Sequence, residues 1–237
     1  MQKIMGYLRK ACQQYDMIQD GDKIAVAVSG GKDSLVLLTA LSQMRRFYPK
    51  KYEVAAITID PSFNNKQGNF DSAARICEGL GVEYKIVRTE IAKIVFDIRK
   101  EPNPCSLCAN LRRGALYNAA AETGCNKLAL GHNNDDVIET FLMNIFKEGR
   151  VGCFSPVTRI EDKNITVIRP MVLAPEAQVI SACRRGGITP IASLCPVDKH
   201  TTRQHIKDFI NNTEREDRGF KLRLFTALRK SNTDGWS

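Results

Sequence analysis

Three clusters in this 237-residue chain combine residue types and spacings that can do chemistry. The first is Ser29-Gly30-Gly31-Lys32-Asp33-Ser34. Its glycines let backbone N–H groups approach a phosphate closely, its serine hydroxyls can donate to phosphate oxygens, and Lys32 adds a full positive charge. Asp33 is an anion in an anion-binding loop, a place it suits by holding Mg²⁺ or by capping a helix. The second cluster, Gly131-His132-Asn133-Asn134-Asp135-Asp136 and on to Glu139-Thr140, sets Asp135 and Glu139 four apart, on one helical face. Hard carboxylate oxygens suit Mg²⁺ bridging phosphates, and an N-cap with an acidic first turn is a structural role compatible with that chemistry. The third is Cys105-x-x-Cys108, followed by Arg112 and Arg113. Two thiols at this spacing serve a zinc half-site, a redox dithiol or half of a cluster site, and a helix N-terminus lowers their pKa.

These residues need elements to position them. Short β-branched runs alternate with stretches of helical spacing, a pattern that predicts a parallel sheet with helices between its strands. The strands are expected at Lys23 to Val28, Val54 to Ile59, Glu83 to Val87, Lys127 to Leu130 and Ile165 to Ile168. Leu35, Leu37, Leu38, Leu41 and Met44 mark the first crossover helix, and Phe70 to Leu80 and Leu111 to Glu122 the next two. The phosphate loop therefore falls between a strand and a helix N-terminus, where the helix dipole favours an anion. Neither G-x-x-x-x-G-K-[ST] nor G-x-G-x-x-G is present.

Residues 1–20 form an amphipathic helix with Ile4, Leu8, Ala11, Cys12 and Tyr15 on one side, 21–200 the main domain, and 201–237 a helical tail. In that tail, Lys221 to Lys230 interleaves basic and apolar residues and suits docking on the core or contact with RNA. A formal charge of +9 favours a polyanionic partner. With no signal-like or membrane-spanning apolar stretch, the expected location is the cytoplasm, without membrane contact. The cytosol keeps thiols reduced, so the eight cysteines are read as core residues, metal ligands or catalytic thiols.

The hexapeptide Ser29 to Ser34 resembles the signature of the PP-loop ATP pyrophosphatases, and Gly131 to Thr140 resembles the G-H-x-x-D-D-x-x-E-T motif of their tRNA-thiolating branch. Cys105 to Gly114 is similar to the C-S-x-C-x-x-x-R-R-G element of the tRNA 2-thiocytidine synthetases. The resemblance implies a Rossmann-like α/β fold of the adenine nucleotide alpha hydrolase type, a parallel sheet with helices on both faces. It implies ATP and Mg²⁺ as cofactors, with Ser29, Gly30, Gly31, Lys32, Asp33, Ser34, Asp60, Gly131, His132, Asp135 and Arg169 at the nucleotide and Mg²⁺ near Asp33 and Asp135. Asp60 is also a plausible turn residue before Pro61, His132 a strand-end histidine, and Arg169 a structural salt-bridge partner.

The family binds a [4Fe–4S] cluster through three cysteines, and the third is expected at Cys195, in an irregular segment beside Pro196. Cys153 is the rival, as a sulfur carrier, and a zinc site would need His200 or His205 as a further ligand. The implied reaction adenylates C2 of a cytidine, position 32 of the anticodon loop in this family, and replaces its oxygen with sulfur. Lys32, Asp33, Asp135, Cys105 and Cys108 would carry it. The implied partners are tRNA and a sulfur donor such as a cysteine desulfurase or free sulfide, and a homodimer stays open. Arg112, Arg113, Arg150, Arg184 and Arg185 are candidate backbone contacts. The alternatives are thiolation of another tRNA base and a nucleotide- and RNA-binding iron–sulfur sensor without turnover.

Overall fold

A computed structural model describes residues 1–63, 66–100, 104–191, 195 and 202–236. Continuous apolar runs produce buried central strands: β1 (Asp22–Ala27), β2 (Tyr52–Asp60) and β4 (Lys127–Ala129). They join β3 (Glu83–Arg88), β5 (Val157–Ile160) and β6 (Ile165–Ile168) in one sheet of order β3-β2-β1-β4-β6-β5. Pairing is parallel, with Ile24 opposite Val54 on one side of β1 and opposite Lys127 on the other. The exception is β5, an antiparallel edge strand whose Thr158 faces Val167 of β6. The expected parallel sheet is present, and β5 adds to it one antiparallel edge strand that was not among the expected strands. Four partly exposed residues leave no apolar periodicity to read, and the 3₁₀ turn Glu161–Lys163 closes the hairpin by local geometry.

Alternation along the strands sends side chains to two faces. Ile24, Val26, Val54 and Ile168 pack with α1 (Gln2–Gln14), α2 (Lys32–Met44), α3 (Asp71–Leu80) and α6 (Glu176–Arg185), through residues such as Leu8, Leu37, Ala73 and Val179. Ala25, Ile57, Leu128 and Val167 pack on the other face against α4 (Pro104–Glu122) and the π-helical segment Lys93–Arg99. Helices therefore cover both faces, as expected.

The remaining helices share a smaller apolar cluster beside the main core. Ile138 and Leu142 of α5 (Asn134–Glu148) meet Ile206 and Ile210 of α7 (Thr202–Glu216), with Leu224 and Phe225 of α8 (Phe220–Lys230) packed against them. Leu228 and Trp236 are fully buried in the main core. The Trp236 indole Nε1 donates to the Phe154 carbonyl at 3.0 Å, and its ring meets Tyr15 and Phe225 edge-on. Of the two uses expected for Lys221 to Lys230, docking on the core is the one these apolar contacts display.

The strand order fixes where a ligand can bind. From β1 the chain crosses to β2 and β3 on one side, whereas β4 pairs on the other side of β1 and leads on to β6. The strand order reverses between β1 and β4, and a switch point of this kind opens a crevice at the C-terminal ends of the strands.

Candidate active site

The loop after β1 turns through Gly30, whose φ of +84° belongs to the left-handed region. A Cβ there would also meet the Ile191 side chain at 2.9 Å. Gly31 is the N-cap of α2, and the serines tie the loop together. The Ser29 N–H donates to Ser34 Oγ at 3.1 Å, while Ser34 Oγ donates to the Gly31 carbonyl at 2.9 Å. The result is a preformed cradle at a helix N-terminus.

The loop after β4 lies directly against this cradle. A Cβ on Gly131 would stand 3.1 Å from the Asp33 carbonyl carbon and from the Ser34 nitrogen, so only glycine permits the contact without movement of the backbone. Two residues on, Asn133 is buried, and its side-chain oxygen accepts from the Asp135 and Asp136 N–H groups at 2.9 and 3.2 Å. Asp136 Oδ2 accepts in return from the Asn133 N–H at 2.8 Å, completing a capping box on α5. The Asn133 Nδ2 then donates to Asp33 Oδ1 at 3.0 Å, joining the two loops through one side chain.

Lys32 is engaged on both sides. Its ammonium lies 2.8 Å from Asp33 Oδ2 and 3.0 Å from Glu176 Oε1. Burial would lower its pKa, but these two carboxylates outweigh that and raise it above the usual lysine range. Glu176 also accepts from Lys207 at 2.8 Å, and Lys207 stands 3.9 Å from Glu139, which pairs with Arg203 at 3.3 Å. Burial and the nearby Asp136 push Glu139 up to about 7, against the lowering by Lys207 and Arg203.

A cavity of about 430 Å³ opens over the crevice. Ser29, Asp33, Ser34, Gly131, His132 and Asp136 line one side, and Arg112, Arg113 and Tyr117 of α4 another. His132 stacks on Phe154 with ring centroids 4.7 Å apart. Burial, reinforced by Arg169, Arg203 and Arg113, pushes its pKa down to about 3, so it stands in the cavity wall as a neutral imidazole. A second cavity of about 220 Å³ is lined by Ser29, Gly31, Asp60, Arg112 and Cys195. Ser29, Ile59 and Arg112 thus form the wall common to both.

Helical spacing puts Cys105, Cys108 and Arg112 on one stripe of α4. Burial raises the Cys108 pKa, the Arg112 guanidinium lowers it, and Cys195 and Cys105 raise it again, so Cys108 lies within electrostatic reach of both other thiols. Among the described residues, no group of three or more His, Cys, Asp or Glu side chains is placed to hold a single metal ion. Cys153 is buried, its pKa pushed up to about 12 by that burial.

Other expected residues point elsewhere. Asp135 does not line either cavity: Lys221 donates to its Oδ1 and the Glu176 N–H to its Oδ2, each at 2.7 Å. Its neighbour Asp136 faces the cavity instead. Asp60 accepts from the Ser62 and Gly68 N–H groups at 3.0 and 2.9 Å, the turn role its position before Pro61 allows, while lining the second cavity. Arg169 is not a lining residue of either cavity. It donates to the Ser155 carbonyl and lies over the Phe154 ring, behind His132. His200 lies outside the described residues. Asn133, Glu176, Arg203 and Lys207 were not anticipated. The N-x-x-D spacing at 133–136 signals the first, whereas nothing local marks the other three.

Two outcomes follow from this geometry. Gly131→Ala drives the two loops apart, and is expected to weaken nucleotide turnover about 10- to 100-fold with the fold intact, measured by kinetics beside circular dichroism. Glu139 binds protons more tightly folded than at its ordinary value of 4.5, so stability falls as pH rises from there through about 7. Glu139→Gln should make that fall shallower in urea unfolding across the same range.

The PP-loop domain family matches residues 4–214. The tRNA-cytidine(32) 2-sulfurtransferase of Citrifermentans bemidjiense is 38% identical over 230 residues, 95% of this chain and 89% of that protein. The Geobacter sulfurreducens protein of the same name is 37% identical over 229 residues, 95% and 88% of the two chains. The U34-tRNA thiolase NcsA from Methanococcus maripaludis, solved with its [4Fe–4S] cluster, superposes with a TM-score of 0.78 at 29% identity, covering 96% of this chain and 78% of that one. NH3-dependent NAD synthetase from Campylobacter jejuni, 16% identical with a TM-score of 0.54 over 99% and 95% of the two chains, shares the fold. With these likenesses running almost the whole length of a chain that carries the phosphate loop, its interlocked partner loop and the paired cysteines, the protein belongs to the PP-loop family, among the tRNA-cytidine(32) 2-sulfurtransferases.

Proposed function

We propose that this chain is an ATP-dependent tRNA 2-thiocytidine synthetase acting on cytidine 32 of the anticodon loop. The observation that carries the reading is the shared wall of the two cavities. Ser29 of the phosphate loop and Arg112 of the cysteine helix line both, so phosphate chemistry and thiol chemistry meet at one place.

ATP phosphates would bind the backbone amides at the α2 N-terminus and exchange with Glu176 for the Lys32 ammonium. The cytosine O2 attacks the α-phosphorus, pyrophosphate leaves, and the base becomes an O-adenylate. Lys32 and the α2 amides stabilise the charge that develops as pyrophosphate departs. Neutral His132 can accept or donate a hydrogen bond to a ligand without adding charge. A sulfur nucleophile then attacks C2, and AMP leaves with the original oxygen. Arg112 stands where it can orient the base between the two cavities.

Two cofactors belong to this reading. Mg²⁺ would be held by Asp33 with Asp136, the two carboxylates that line the cavity, with Lys32 moving from Asp33 to the phosphates; Asp135 lies outside the cavity, on Lys221. The donor set of Cys105, Cys108 and Cys195, soft thiolates around Arg112, fits a [4Fe–4S] cluster, which when bound supplies an iron with an open position for sulfur. The sulfur donor is a cysteine desulfurase or free sulfide. No described helix is long and apolar enough to cross a membrane. A tRNA substrate supports the reading of a cytoplasmic enzyme.

Mass spectrometry of nucleosides from unmodified tRNA, incubated anaerobically with reconstituted protein, ATP, Mg²⁺ and sulfide, tests the reading. The expected product is 2-thiocytidine at position 32. A thiouridine in its place would overturn the assigned base, and ATP cleavage without any thionucleoside would overturn the reaction.

A further inference from the structure

A groove of about 750 Å³ runs between α1 and α8, outside both cavities described above. Tyr7 and Lys10 line it from α1, and Phe225, Arg229 and Lys230 from α8. Over the whole chain 26 of 237 residues are acidic, roughly one in nine. Yet neither α1, with 13 residues, nor α8, with 11, contains a single Asp or Glu, while they carry three and four Lys or Arg. Burial of the apolar faces accounts for Leu8 and Leu228 but does not require the other faces to exclude acids. Lys10 and Lys230 are exposed, and Tyr7 and Phe225 half-buried.

Cations interleaved with aromatic faces suit a polyanion whose charges alternate with flat apolar groups. Two of its lining residues tie the groove to the candidate site: Asn134 and Pro175 are the chain neighbours of Asn133, in the interlocked loops, and of Glu176, the carboxylate on Lys32.

We propose that the α1–α8 groove holds the phosphodiester backbone of the RNA substrate, with Lys10 and Lys230 neutralising phosphates and positioning the reacting loop over the cavity. The proposal rests on the tRNA reading above and adds the surface that the RNA occupies. Two lost phosphate contacts reduce the slope of log affinity against log salt by about 2, and weaken binding uniformly across RNA sequences.

The test is a filter-binding titration of full-length protein with unmodified tRNA at several salt concentrations. Wild type is compared with Lys10→Gln/Lys230→Gln and with Lys147→Gln, an exposed lysine outside the groove. The double variant is expected to bind about tenfold more weakly at low salt with the shallower slope, at unchanged ATP affinity and thermal midpoint, while Lys147→Gln behaves like wild type. Unchanged affinity and slope in the double variant, or an equal loss in Lys147→Gln, would overturn the groove. Neither result touches 2-thiocytidine formation by wild type, so the groove and the thiolation reading fail separately.

Discussion

One buried amide, Asn133, sets the geometry on which the candidate site depends. Its oxygen caps α5 and its nitrogen holds Asp33, so the helix that follows β4 and the phosphate loop that follows β1 cannot move independently. The contact is possible because Gly131 has no Cβ to push against the Asp33 and Ser34 backbone. Everything else in the fold brings these two loops to the same edge: β1 and β4 are paired in parallel, and the order reversal between them leaves the crevice open above.

Charge extends this constraint into the C-terminal helices. Lys32 is bonded to Glu176 at the start of α6, Glu176 to Lys207 of α7, and Asp135 to Lys221 of α8. Such partly buried pairs rank low as sources of net stability, because desolvation offsets most of their attraction. Their effect here is positional. They fix the first turn of α6 against the phosphate loop and leave Asp136, not Asp135, pointing into the cavity.

Much of this was legible in the residues. Ser29 to Ser34 could be placed because a glycine-rich turn between a β-branched run and a Leu-rich helix has few other uses, and the α4 stripe followed from helical spacing. The choice between Asp135 and Asp136 was not legible, because adjacent helical residues point about 100° apart and the capping box decides which one faces inward. Glu176, Lys207 and Arg203 were hidden for a different reason: they reach the site by packing of sequence-distant helices, which no local pattern encodes. Strand β5 is too short for periodicity, and Trp236 sits among polar residues that gave no sign of its burial.

In the proposed reaction, adenylation takes place on the phosphate-loop side and sulfur transfer on the cysteine side of the wall that the two neighbouring cavities share. The most direct test is tRNA-dependent pyrophosphate release by Cys108→Ala, followed beside thionucleoside formation. Pyrophosphate release close to the wild-type rate with no thionucleoside is the predicted result. Loss of both together, in a folded variant that still binds ATP, would contradict the division and join the thiols to the first step.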